Sequence, residues 1–419
     1  MSRSLFVGCA LLGCSAAAPS SLELWDAYVN DTTTAAVTQG GLQPACVPQR
    51  LAAAAGVPFA GTAVLFHGFS ACPQQHLRMA PLLAAEGFDV LMPLTPGHGN
   101  ALPGPDAPAP PRWPPCIHGC GNSTTPRDNV NGLPDDPAQY DAFVKRMGAI
   151  AAASSGTRVV SGLSLGGTLA AAAGQLRGTD GKAVFARQLI FNPLLKLSNN
   201  FEDLLARFMN NQSLTKHMWA GWGDECYNER SLGRGGFCMF PVAQAMAAHD
   251  FGTATLNAAA PPPGAVVVSA YDQGDPVVST PAVRQLAARL GAQQHCVLNF
   301  TEHSMLSLYD EPGTNKWYTN ELSCDAVRFL AHGTVFVEDT AVNPAEGSDH
   351  YCHLDCSSTT CPLNTTGGAA PALTCPPKGS YACPANSYVS SARWPIQDFS
   401  DCSCSWGYAY EKVKDECKM

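Results

Sequence analysis

The chain has 419 residues, 46% apolar and only 14% charged, with 25 basic against 34 acidic side chains and a formal charge of −9. That length exceeds one small module, at about 100–200 residues per domain. The acidity, with no Lys/Arg block, excludes nucleic acid and anionic membrane surfaces as partners, and 18 cysteines argue against a reducing compartment.

Residues 1–18 have the layout of a secretory signal: Arg3, an apolar run from Leu5 to Leu12, then small residues from Ser15 to Ala18. Leu11-Leu12-Gly13-Cys14 also resembles a bacterial lipoprotein box. Against that reading stand five Asn-x-Ser/Thr sequons, at Asn30, Asn122, Asn211, Asn299 and Asn364. They are glycosylation candidates on a eukaryotic secretory route. No later stretch is long and apolar enough to span a bilayer, and the charged residues 411–419 are no lipid-anchor signal. The expectation is a soluble protein, secreted or in the lumen of the secretory pathway.

Residues 19–59 read as an N-terminal lead. From about Gly61, short β-branched runs alternate with helical stretches. Thr62–Phe66 reads as a buried strand, Pro73–Glu86 as a helix with Gly87 after its end, and Phe88–Pro93 as a second strand. Residues 96–134, rich in Pro and Gly and holding Cys116 and Cys120, read as an insertion. Pro137–Ser154 is helical, with Asp135 and Asp136 as cap candidates. Arg158–Ser161 is a third strand, Leu165–Ala173 a helix and Gln188–Phe191 a fourth strand. Residues 193–263 form a long second insertion in which Phe201, Leu204, Leu205 and Phe208 recur at helical spacing. Ala265–Ser269 and Cys296–Phe300 are the last two strands, and Trp317–Phe329 is a closing helix. Strands alternating with helices predict an α/β domain over 60–335: a mostly parallel sheet with helices on both faces.

After about Gly333 the periodicity stops, and residues 349–419 read as a small disulfide-rich C-terminal module. Without Cys9 and Cys14, 16 cysteines remain: eight from Cys46 to Cys324 and eight from Cys352 to Cys417. The even split suggests two self-contained disulfide sets, of unassigned connectivity. Cys116-Ile117-His118-Gly119-Cys120 could be metal ligands, but paired cysteines of a secreted chain favour a disulfide. No phosphate loop follows an early strand, and no metal or cofactor is implied.

Gly162-Leu163-Ser164-Leu165-Gly166 fits Gly-x-Ser-x-Gly, directly after a strand and opening an apolar helix. Small flanking residues suit the sharp turn that strains and exposes such a serine. A hydroxyl nucleophile needs a base, an orienting acid and oxyanion donors. His303 follows the last strand and Asp275 the one before it, with Asp272 the rival acid. The backbone N–H groups of Phe69 and Leu165 are the oxyanion-hole candidates. His67, in His67-Gly68-Phe69, reads as a structural loop residue.

Ala63-Val-Leu-Phe-His-Gly-Phe-Ser70, Gly87–Gly99, Gly-Leu-Ser-Leu-Gly-Gly, Asp275-Pro-Val-Val and His303-Ser-Met-Leu together resemble the α/β-hydrolase esterases, nearest the carboxylesterase and monoacylglycerol-lipase-like serine hydrolases. The resemblance covers roughly residues 60–333. It implies an eight-stranded sheet, a cap over 193–263, and a catalytic triad of Ser164, Asp275 and His303 cleaving a small-molecule or lipid ester. The stretch Cys383–Cys417 resembles EGF-like or ephrin-receptor-like repeats, which implies contact with a surface glycan or protein, or a purely stabilising appendage. Two other functions stand beside an esterase: a peptidase or amidase of the same fold, and a non-catalytic extracellular binding protein. The cap stripe Phe201, Leu204, Leu205 and Phe208, with Trp219, Trp222, Phe237 and Phe240, would wall a substrate pocket for an apolar acyl chain, or else is ordinary core.

Overall fold

A computed structural model describes residues 19–101, 116–118, 128–198, 218–222, 226, 235–270, 275–298, 301, 303–306, 318–338 and 350–353, with strand segments at 387–389, 402–404, 409–411 and 416–418. The signal-like segment 1–18, the stripe Phe201, Leu204, Leu205 and Phe208, the rival acid Asp272, and the sequons at Asn122, Asn211, Asn299 and Asn364 lie outside the described residues.

The lead folds. Helix α1 (Ser21–Val37) opens on a reciprocal cap: Ser20 Oγ accepts the Glu23 N–H, and the Glu23 carboxylate accepts the Ser20 N–H. Trp25 and Tyr28 are buried on its inner face. The Tyr28 hydroxyl donates to the Leu94 carbonyl at 2.7 Å and accepts the Leu94 N–H at 2.9 Å. Asn30, on the same helix, is exposed.

The remaining elements in chain order are β1 (Gln49–Leu51), β2 (Gly61–Phe66), α2 (Met79–Ala85), β3 (Phe88–Met92), β4 (Cys116–His118), α3 (Pro137–Ala152), β5 (Thr157–Leu163), α4 (Leu165–Gly174), β6 (Arg187–Phe191), β7 (Trp219–Gly221), β8 (Met239–Pro241), α5 (Val242–Ala258), β9 (Ala265–Ser269), α6 (Thr280–Leu290), β10 (Gln294–Val297), α7 (Tyr318–His332), β11 (Val337–Glu338) and β12 (His350–His353). Nine strands form the main sheet in the order β1-β3-β2-β5-β6-β9-β10-β12-β11. The edge strands β1 and β11 run antiparallel to their neighbours, and every pairing between them is parallel.

Helices cover both faces, because successive strand residues point to opposite sides. Ala63, Leu65, Val90, Val266 and Val268 pack with α2 and α7. Val64, Phe66, Leu91, Ala265 and Val267 pack with α1, α3, α4, α5 and α6. Burial on both faces explains why the strands read as unbroken apolar runs.

Three local readings change. The stretch Pro73–Glu86 is not one helix: a 3-10 turn, Pro73–His76, precedes α2. The turn aims Gln74 and Gln75 at neighbouring loops, with Gln75 Oε1 accepting the Gly68 N–H and Gln74 Oε1 accepting the Gly235 N–H. The two insertions, read separately in the sequence, meet: β4 from the first pairs parallel to β7 of the second, and β8 completes that small sheet.

The disulfide halves are also not self-contained. Cys296 on β10 is bonded to Cys352 on β12, so the start of the Cys-rich stretch belongs to the main sheet. The sheet therefore exceeds the eight strands implied by the resemblance. Cys46–Cys72 and Cys226–Cys238 are bonded as well. Beyond β12, two antiparallel strand pairs are described, 387–389 with 402–404 and 409–411 with 416–418.

Candidate active site

Ser164 stands alone between β5 and α4 with φ 59° and ψ −120°. A non-glycine residue with positive φ costs on the order of 1–3 kcal/mol and persists only where its surroundings fix it. They do so here. The Ser164 N–H donates to the Phe191 carbonyl at 2.9 Å, and its carbonyl accepts the N–H groups of Thr168 and Leu194, each at 3.0 Å. A Cβ on Gly166 would run into the Phe66 backbone, and one on Gly162 into the Gly166 backbone, so the flanking glycines are steric necessities of the turn.

Among the described residues only three non-glycines have positive φ: Ser70, Ser164 and Asn192. All three lie just past the C-terminal ends of adjacent parallel strands, β2, β5 and β6. Backbone strain in the described chain is thus gathered at one place, the sheet edge where open α/β folds bind ligands.

The first oxyanion candidate lies in the turn Gly68–Ala71, closed by the Ala71 N–H donating to the Gly68 carbonyl at 3.1 Å. Ser70 takes its positive φ of 66° there. A Cβ on Gly68 would sit 3.4 Å from the Ser164 Cβ, so the turn abuts the serine. Among the described residues neither the Phe69 N–H nor the Leu165 N–H has a protein partner. Leu165 is the first residue of α4, where N–H groups are left open and the helix dipole favours negative charge.

His67 is structural, as its sequence setting suggested. It is fully buried. Its Nε2 accepts the Thr95 N–H at 3.0 Å, so Nδ1 carries the proton and donates to the Gly68 carbonyl at 2.9 Å. Burial first, and the neighbouring His98 next, hold it well below the usual imidazole range. Neither ring nitrogen is left to act on a substrate.

Asp275 and His303 come together. The His303 Nδ1–H donates to Asp275 Oδ2 at 2.8 Å, and the Asp275 side chain is 3% exposed. Asp275 Oδ1 accepts the Val277 and Val278 N–H groups at 2.8 and 3.0 Å. Burial opposes its ionisation, but the interaction with His303 and the two N–H bonds outweigh it, and the carboxyl lies below its ordinary range. Ser164 Oγ makes no hydrogen bond among the described residues. Bonds of that kind often tighten only when substrate is bound.

Of the described cap aromatics, Trp219 and Trp222 are half-buried, whereas Phe237 and Phe240 are buried. Phe237 and Phe240 are 2% and 1% exposed, with rings 5.2 and 5.0 Å from that of Phe69. The Phe237 N–H also donates to the Ser70 carbonyl at 3.2 Å. These two side chains anchor the cap to the Gly68–Ala71 turn rather than offering open surface. The cap's Cys238 and Met239 N–H groups converge on Asp128 Oδ2, each at 2.6 Å.

A parallel sheet in this order, with a strained serine turning from its fifth strand into a helix, decides the architecture. It is an α/β-hydrolase fold. Among solved structures the chain is similar to one of the metagenome-derived lipolytic enzymes LipS and LipT, at 20% identity over 68% of this chain and 99% of that one, with a TM-score of 0.42. It is similar also to a soluble variant of monoglyceride lipase from Saccharomyces cerevisiae, at 15% identity over 68% and 90%, TM-score 0.45. A third is the monoacylglycerol lipase of Paleococcus ferrophilus, at 16% identity over 68% and 99%, TM-score 0.42. No family model matches the chain, and no curated protein does.

Sequence reasoning passed over Asn192 and Gln75. Asn192 lies between a strand and the first proline of the cap, and its only local signal is that asparagine tolerates positive φ. Gln75 holds the Gly68 N–H from a segment that read as helix.

Proposed function

We propose that this protein is a secreted serine hydrolase that cleaves carboxylic esters through an acyl-enzyme. Ser164 Oγ attacks the acyl carbon, and the electron pair of the carbonyl moves onto its oxygen. The N–H groups of Phe69 and Leu165 receive that oxyanion. His303 Nε2 takes the serine proton and returns it to the leaving alcohol. Asp275 holds the ring in the Nδ1–H tautomer and stabilises the imidazolium. Water then repeats the cycle and frees the acid.

One observation carries the reading: the strained Ser164 follows β5 and the bonded Asp275–His303 pair follows β9 and β10, all at the C-terminal ends of parallel strands of one sheet. Three disulfides among the described cysteines support an oxidising, secretory compartment. The cap stripe Phe201, Leu204, Leu205 and Phe208 suits an apolar acyl chain, each buried CH₂ being worth about 0.8 kcal/mol. The Cys-rich tail suits contact with a surface glycan or protein. The test is a chain-length series of p-nitrophenyl esters beside aminoacyl anilides. Ester turnover rising from acetate to medium chains supports the reading. Turnover of anilides alone would replace it with a peptidase.

A further inference from the structure

Asn192 occupies an uncommon position. It follows β6, has φ 38° and is 1% exposed. Few residues other than glycine accept that backbone, and asparagine is one of them. Glycine would meet the backbone demand alone, so the carboxamide calls for a separate reason. Its Oδ1 accepts the Ala270 N–H at 2.7 Å, and its Nδ2 donates to the His303 carbonyl at 3.0 Å.

The peptide joining Phe191 to Asn192 is bonded on both sides. The Phe191 carbonyl accepts the Ser164 N–H, and the Asn192 N–H donates to the Val268 carbonyl, both at 2.9 Å. Two residues on, the Leu194 N–H donates to the Ser164 carbonyl. Thr168 Oγ1 in turn donates to the Leu194 carbonyl at 2.8 Å. One short segment therefore grips the Ser164 backbone directly. Through a single side chain it also grips the exit of β9, which leads to Asp275, and the main chain of His303.

We propose that Asn192 is a positioning residue that sets the His303 main chain relative to Ser164 and the Asp275 loop. The inference rests on the serine-hydrolase reading above. The Asp275 bond orients the His303 ring, but a ring is only as well placed as the backbone it hangs from. That backbone lies in a loop, and the described bond that ties its carbonyl to the nucleophile's side of the sheet comes from Asn192. The task needs a donor and an acceptor on one short arm, which aspartate and leucine, of similar size, do not supply. Aspartate would keep the acceptor for Ala270 and turn an oxygen against the His303 carbonyl.

The experiment compares Asn192→Asp and Asn192→Gly with the unsubstituted protein and with Ser164→Ala. Glycine keeps the positive φ while deleting the carboxamide, which separates backbone strain from hydrogen bonding. Steady-state ester kinetics give kcat and KM, and proton NMR follows the low-field Nδ1–H resonance of the His303–Asp275 bond. Misplacing a catalytic group by about 1 Å costs on the order of 10²-fold. The expected result is a kcat loss of that order in both variants, with KM nearly unchanged and the Nδ1–H resonance shifted or lost. A folded variant with unchanged kcat, or with the resonance unmoved, would overturn the positioning role. Failure of both variants to fold would overturn it too, leaving Asn192 a folding residue. Ester turnover that survives Ser164→Ala sinks the hydrolase reading instead, and the resonance still decides whether Asn192 holds His303.

Discussion

Asp275 reaches His303 with one carboxylate oxygen, at 2.8 Å from Nδ1, while its other oxygen accepts the N–H groups of Val277 and Val278. The Asp-Pro-Val-Val string thus encodes its own brace. The chain turns back after Pro276, and two main-chain donors hold the carboxylate oxygen that the histidine does not use. An ionised carboxylate accepts all three bonds, and a carboxamide in its place cannot.

Asp275→Asn should therefore lower kcat by about 10⁴, because the histidine loses the partner that selects its tautomer. Asp272→Asn should leave kcat nearly unchanged. Measuring both with one p-nitrophenyl ester decides between them, and a reversed order removes Asp275 from the mechanism.

Acid should destabilise the fold well before it reaches the carboxylates. His67, His76 and His98 are buried. Burial pushes His76 and His98 down from 6.5 to about 4, and His67 falls well below its ordinary value for the same first reason. Between pH 6.5 and about 4 the unfolded chain binds protons at these sites that the fold refuses, so stability falls as pH is lowered through that window. Asp275 acts elsewhere. Its lowered carboxyl contributes stability that is lost only below its ordinary value of 3.8. Tm recorded down this window should drop steadily, and His98→Phe should flatten the slope. A constant Tm from neutral pH to about 4 contradicts the assignment.

The Cys296–Cys352 bond ties β10 to β12 across 56 residues of chain. Non-reducing peptide mapping should recover those two peptides linked, and titration of denatured, unreduced protein should find no free thiol. Replacing both cysteines with serine should cost about 2–4 kcal/mol. Recovery of Cys352 bonded within 356–417 would return the tail to a self-contained module.

The positions of the Ser164 turn, Asp275 and His303 at strand ends were legible because each follows a local pattern. Gly162 and Gly166 mark a turn that no side chain could enter, and Asp275 and His303 follow apolar runs dense enough to read as strands. What sequence could not convey was long-range pairing. Cys352 reads as the first of a Cys-rich tail, yet its strand completes the parallel sheet beside β10. Gln75 falls in the stretch Pro73–Glu86 that reads as a helix, yet it holds the Gly68 N–H from a 3-10 turn. Asn192 has no periodicity to betray it, since its role comes from three loops meeting at a sheet edge. Helix α1 was missed for a different reason. Its cap, Ser20 with Glu23, is a sequence-level signal that the signal-like residues just before it obscured.

The central claim is that Ser164 is the nucleophile, and one measurement tests it most directly: kcat of purified Ser164→Ala on the best ester of the series, with Tm recorded alongside. Ser164→Ala removes only an Oγ that makes no hydrogen bond among the described residues, so Tm should change little. Loss of a triad member typically costs on the order of 10⁴–10⁶ in kcat, and the variant should show that loss. A folded Ser164→Ala protein that retains kcat within about tenfold of the unsubstituted chain would contradict the account.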